Sequence, residues 1–206
     1  MSDNSKVTIQ IIAEGFEEKP YLDKLLEFPN INKTYKFLPV INVKGNGSIV
    51  PRYQYLYQQG NSDLILIFCD ADKGSEQFFS IAQQIGEQFF ENREDALSVF
   101  IFSNPVTLQI VLSHFGNVAL ASGSKKINAS IVEQLTGIKD YDAKDEQIKE
   151  MIGKIHYRTL EVAKNNLKCI SRNICDVPST NFLTFLERFE NDDISWVDDI
   201  KNKLKK

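Results

Sequence analysis

The sequence predicts an α/β protein: a mostly parallel, Rossmann-like sheet flanked by helices, followed by a helical C-terminal extension. Three observations carry this. Short apolar runs rich in β-branched residues alternate, as far as about residue 122, with segments whose apolar residues recur at helical spacing. One of the runs, DLILIFC at 63–69, is almost unbroken, which is how a strand covered on both faces of a parallel sheet reads. Beyond Lys125 the strand patterns stop and the chain becomes more charged and helix-rich.

The elements follow in order. KVTIQIIA at 6–13 is a first strand ending in Glu-Gly. Residues 17–28 form a helix. Pro20 suits its first turn, where the missing N–H removes no helical bond, and Tyr21, Leu22, Leu25 and Leu26 share a face. YKFLPVINV at 35–43 is a second strand, and Pro39, which cannot donate to a ladder, places it at an edge or a bulge. The Gly-rich loop GNGSIVP leads to a short helix at 52–59, stopped by Gly60. The third strand, 63–69, ends in DADKG. Ser75 stands where it can cap a helix carrying Phe78, Ala82, Ile85 and Phe89 at helical spacing. LSVFIF at 97–102 is another buried strand, ending in Ser-Asn-Pro. A helix over 106–115 and a short fifth strand at 118–121 complete the core. In the extension, Ile148, Met151, Ile152 and Ile155 mark one helix and Leu160, Ala163, Leu167 and Ile170 the next. Pro178-Ser179-Thr180 opens a third, with Phe182, Phe185, Leu186 and Phe189 inward. The division expected is an α/β core over 1–122 and a helical extension over 123–206 packed on it.

Composition narrows the function classes. The 206 residues carry 24 Lys and Arg against 28 Asp and Glu, a net charge of −4, so any nucleic acid has to be gripped by a local patch rather than a broad basic surface. No apolar run approaches a membrane span, and the polar N-terminus lacks a signal-peptide pattern. Three cysteines and two histidines, none at zinc-ligand spacing, read as reduced thiols in a cytoplasmic protein without structural zinc.

The chemistry-bearing residues gather at strand ends. Glu14 closes the first strand; Asp70 and Asp72 close the third, two residues apart, so that both can point the same way. In parallel sheets the functional groups collect at the carboxyl ends of the strands. Like charges brought together there repel, and a hard divalent cation with oxygen ligands, Mg²⁺ or Mn²⁺, relieves the repulsion. Each carboxylate taken singly also reads as a helix cap or a turn former. Lys73, directly after Asp72, is a candidate phosphate contact or a solvated loop lysine. Lys44-Gly45-Asn46-Gly47-Ser48 has the composition of a phosphate-cradling loop but not the Gly-Lys-Ser/Thr ending of a P-loop. Lys44, Asn46, Ser48 and Arg52 are therefore weak candidates for nucleic-acid contact, and Tyr53, Tyr55 and Tyr57 alternate with charge as in strand binders or else pack on the sheet. A nucleotide-binding reading lacks its GxGxxG or P-loop after the first strand.

The motifs EGFEE, CDADKG, SNPVTLQIVLSHF and DVPST, in that order over roughly residues 7–190, resemble the RloB-like branch of the TOPRIM nuclease superfamily. The resemblance implies a TOPRIM-like fold and a Mg²⁺-dependent nuclease cleaving phosphodiester bonds of DNA or RNA, in phage defence or restriction and beside an ATPase partner. It implies Glu14 as acid/base residue or metal ligand and Asp70 and Asp72 as metal ligands. Glu17 is matched to the second glutamate of the family's EG-x-x-E, with Glu18 beside it in support. Ser103, Asn104 and His114 match the SNP and HF positions. One departure stands out: the family's SNPCFE carries an acid where this chain has Leu108, and Ile110 replaces an aromatic. That leaves a second expectation, a catalytically idle TOPRIM scaffold that binds a partner protein or nucleic acid.

Overall fold

The computed structural model describes residues 6–31, 33–71 and 75–205. Its spine is the run of β-branched and apolar residues that pairs β1 (Val7–Ala13) with β4 (Leu64–Asp70), in parallel, from Ile9↔Leu64 to Ala13↔Phe68. Both strands are buried over most of their length, as the unbroken apolar sequence requires. On the outer side of β1 lie β2 (Tyr35–Phe37) and β3 (Ile41–Asn42), both parallel to it. They are one predicted strand broken at Leu38–Val40; Pro39 has no N–H to give to a ladder, and its carbonyl accepts from Gln10 Nε2 at 2.8 Å. On the far side of β4 runs β5 (Phe100–Asn104), again parallel, in the register Asp70↔Ser103.

Successive residues of a strand face opposite sides of the sheet. Phe68 points to the side covered by α1 (Glu18–Leu25) and by α9 (Phe182–Glu190), where its ring stacks on Phe182 with centroids 5.8 Å apart and Phe182 meets Tyr21. Phe100 points to the other side, against Phe78 of α3 (Glu76–Phe89). There α2 (Ile49–Gln59) adds Tyr53, whose ring lies 5.1 Å from that of Phe89. Gly60 ends α2 in left-handed backbone (φ 62°), which a residue without a Cβ adopts at no steric cost. A short helix, α4 (Arg93–Ala96), returns the chain to β5.

After β5 come α5 (Leu108–Leu112), α6 (Lys125–Thr136), α7 (Asp145–Gly153) and α8 (Tyr157–Leu167). Two expectations change here. Residues 118–121 are not a strand: Gln109 bonds Val118 O through its Nε2 and Leu120 N through its Oε1, both at 2.8 Å, so a side chain satisfies backbone groups that a ladder would otherwise pair. Pro178-Ser179-Thr180 does not open a helix. Ser179–Thr180 form β6, antiparallel to β5, and the helix α9 begins two residues later. The Asn181 carboxamide prolongs the pairing by accepting from Phe102 N and donating to Phe100 O, which covers an edge that would otherwise present open backbone groups. The C-terminal segment thus contributes a strand as well as helices. Its last helix, α10 (Ser195–Lys201), brings Trp196 to donate to the Tyr35 hydroxyl at 2.8 Å. No described helix is long and apolar enough to cross a membrane.

Candidate active site

The carboxyl ends of β1 and β4 open on a cavity of about 350 Å³. Pairing continues one residue past β1, with Glu14 N donating to Phe68 O at 3.0 Å. This fixes the Glu14 backbone, and its carboxylate Oε2 accepts from Asp70 N at 3.1 Å. Asp70 is the last residue of β4 and half-buried, and its Oδ1 accepts from Thr107 Oγ1 at 2.8 Å. The chain turns at Gly15 into α1, whose first residue, Glu18, is 4% exposed and lines the same cavity. A Cβ on Gly15 would stand 2.9 Å from Glu18 Oε2, so the glycine of the Glu-Gly pair leaves room for the second carboxylate. Counted from Glu14, the fourth residue along is Glu18, so the second glutamate of EG-x-x-E falls on Glu18 and not on Glu17. Glu17 turns to another wall, where its Oε1 accepts from the Tyr141 hydroxyl at 3.0 Å.

The electrostatics follow from this crowding. Burial, then the charge of Glu18, pushes the Asp70 carboxyl well above the usual carboxylate range, with Glu14 and Glu17 adding to the shift; the Thr107 hydrogen bond opposes it. Burial raises Glu18 as well, against its hydrogen bonds to backbone and to Thr107. Glu17 is raised by burial and by Glu18, and drawn back by Tyr141 and by Lys125. Burial and the neighbouring Glu17 keep the Tyr141 phenol protonated. The floor of the cavity is therefore a set of carboxyl groups short of positive charge. An oxygen-seeking divalent cation suits such a donor set. Among the described residues, no three His, Cys, Asp or Glu side chains converge closely enough to hold a metal ion by themselves. Asp72 and Lys73, expected here, lie outside the described residues.

The other expected residues are placed as follows. Ser103 is inside the sheet, its hydroxyl donating to Val106 O at 2.7 Å, and so shapes the loop that delivers Thr107. Asn104 donates to Ile174 O and Asp176 O and ties down the C-terminal segment rather than facing the cavity. His114 is in the core, between the Tyr21 hydroxyl at 3.0 Å and Thr159 Oγ1 at 3.2 Å, and burial depresses its pKa to about 3. It is a neutral packing histidine and does not line the cavity. Lys44, Ser48 and Arg52 line a separate, shallow groove with Tyr55, and Asn46 lies in the turn beneath them. Leu108, at the position of the family's acid, is 3% exposed and forms part of the cavity wall.

Four further residues complete the site: Thr107, Lys125, Tyr141 and Asp145. Thr107 adjoins Leu108 in the loop after SNP, and that adjacency was the signal for it. Tyr141 comes from 124 positions beyond Glu17, and no local pattern announces it. Lys125 and Asp145 line the cavity as well.

No family model matches the chain, and no curated protein does. Among solved structures it is similar to the C-terminal region of the Burkholderia pseudomallei OLD protein, at 13% identity over 94% of this chain and 96% of that one. With a TM-score of 0.37 the likeness is too loose to add to the α/β, mostly parallel fold read from the sheet itself.

Proposed function

We propose that this chain is a Mg²⁺-dependent, TOPRIM-like nuclease acting on phosphodiester bonds of DNA or RNA. One observation carries the reading: Glu14, Glu18 and Asp70, from two adjacent parallel strand ends and the helix after the first, line one cavity with a donor to Asp70 and a cationic side chain, Lys125, in its wall. Asp70 and Asp72 would hold the ion. When bound, it would neutralise charge on a phosphate oxygen and acidify water. The chain's own groups do the rest. Glu14, whose carboxylate accepts from the Asp70 amide, would take or give a proton. Thr107 holds the Asp70 carboxylate, and Lys125, lining the same cavity, would offer a positive charge to a phosphate. The helical segment beyond residue 122 closes this wall through Tyr141, and a place in phage defence beside an ATPase, in the cytoplasm, fits the motif resemblance.

A second reading, a catalytically idle scaffold, draws on Leu108, which sets an apolar side chain in the cavity wall. The test is Mg²⁺- or Mn²⁺-dependent cleavage of a panel of nucleic acids by wild type and by Asp70→Ala. The nuclease reading expects cleavage that the variant loses. Equal activity in both, or none under any metal and with an ATPase partner added, supports the scaffold instead.

A further inference from the structure

Two exposed aromatic side chains line the cavity and the groove next to it along the chain. Phe16, between Gly15 and Glu17, lines the cavity and is 61% exposed. Tyr55 is 52% exposed in the adjacent groove, with the Arg52 guanidinium 5.6 Å from its ring centroid. The groove is a separate depression, tied to the cavity through the backbone of the loop between them. Val43 N donates to Ala13 O and Gly45 N to Glu14 O at 2.8 Å, so the loop carrying Lys44 is bonded to the same strand end that delivers Glu14 and Phe16. Neither Lys44 nor Arg52 is engaged in an ion pair among the described residues.

We propose that the site takes a single nucleic-acid strand rather than a duplex, with bases stacked on Phe16 and Tyr55 and the phosphates following Lys44, Arg52 and Lys125. The proposal rests on the phosphodiester reading of the carboxylates. Three considerations favour the single strand. The bases of a duplex are stacked on one another and offer no face to a side chain, whereas an unpaired base stacks on any exposed ring. A duplex is held through many phosphate contacts across a broad basic surface, and this chain carries a net charge of −4, with only a few cations beside the site. Glu18 is nearly buried and Asp70 half-buried on the cavity floor, within reach of a flexible backbone but withdrawn from a rigid double helix.

Fluorescence anisotropy tests this on the full chain, with Ca²⁺ in place of Mg²⁺ and fluorescein-labelled oligonucleotides as probes: single-stranded DNA, single-stranded RNA and the corresponding duplexes. The expected result is tighter binding of a single strand than of either duplex. Phe16→Ala, Phe16→Leu and Tyr55→Ala should each weaken it roughly 5- to 150-fold, the range for loss of one stacked base, with Phe16→Trp retaining affinity. Whichever strand binds more tightly names the nucleic acid. Duplex binding as tight as single-strand binding, or Phe16→Leu and Tyr55→Ala variants that bind like wild type, overturns the proposal. Its failure is separable from that of the nuclease reading. Aromatic-dependent binding without cleavage by wild type in Mg²⁺ leaves the strand site standing alone, and Asp70-dependent cleavage indifferent to Phe16 and Tyr55 removes the strand site alone.

Discussion

The Thr107 hydroxyl donates to Asp70 Oδ1 at 2.8 Å, joining the loop after β5 to the carboxylate at the end of β4. Thr107 is fully buried, while Asp70 is half-buried at the edge of the cavity. Thr107→Val keeps the shape and removes the donor. The expected loss is about 0.5–1.5 kcal/mol of stability, the net worth of a typical hydrogen bond, together with weaker divalent-cation binding. Urea denaturation and Mg²⁺ titration calorimetry check both, and a variant matching wild type in each would show that the bond has no role.

The raised Asp70 carboxyl makes a pH prediction. Its folded pKa lies well above the unfolded 3.8, so between the two values the folded chain holds a proton that the unfolded chain has released. Asp70 therefore lowers stability progressively as pH rises above 3.8, until its folded pKa is passed. Asp70→Asn lacks this slope. The stability of the variant minus that of wild type, measured in EDTA, is expected to grow with pH over this window, and saturating Mg²⁺ to shrink it. A difference that stays flat with pH contradicts the electrostatic picture of the cavity.

His114 works in the opposite direction. Its folded pKa of about 3 lies below the unfolded 6.5, so the stability it contributes is present above pH 6.5 and is lost as pH falls towards 3. At pH 5 the loss is about 2 kcal/mol, from 1.5 pH units at about 1.4 kcal/mol each. His114→Gln is expected to flatten the acid limb of the stability profile between pH 7 and pH 5 without changing metal binding, since the residue lies away from the cavity. Denaturation at the two pH values measures it. An unchanged acid limb would mean that the histidine takes up its proton in the fold as readily as in the unfolded chain.

Leu108 separates an active site from an idle one. Leu108→Glu places the family's acid in the cavity wall. Without metal, the added buried charge is expected to destabilise the fold by roughly 3–5 kcal/mol. Mg²⁺ is expected to recover part of that loss and cleavage to rise above wild type. A destabilisation that Mg²⁺ leaves untouched would show that this position does not face the ion.

What could be read from the sequence follows from the range of each signal. β1, β4 and α3 are continuous patterns of period two or 3.6, and they stand where the patterns put them. Glu14 and Asp70 were legible because strand ends are local features and the parallel register brings them together. β6 was misread because it is two residues long and its pairing depends on β5, some 75 positions earlier. Residues 118–121 look like a strand and are not one, because Gln109 satisfies their backbone. Tyr141 was invisible because nothing near it in sequence points to Glu17. Counting EG-x-x-E from Glu14 puts the second glutamate at Glu18, and Gly15 leaves room for its carboxylate.

Divalent-cation binding in the cavity is checked by a crystal structure of the full chain soaked in Mn²⁺. An anomalous peak is expected within coordination distance of Asp70 and Asp72, with Glu14 beside it or ligating a second ion, and lost in Asp70→Ala. A cavity without a peak at millimolar Mn²⁺, or a peak unchanged in that variant, would contradict it.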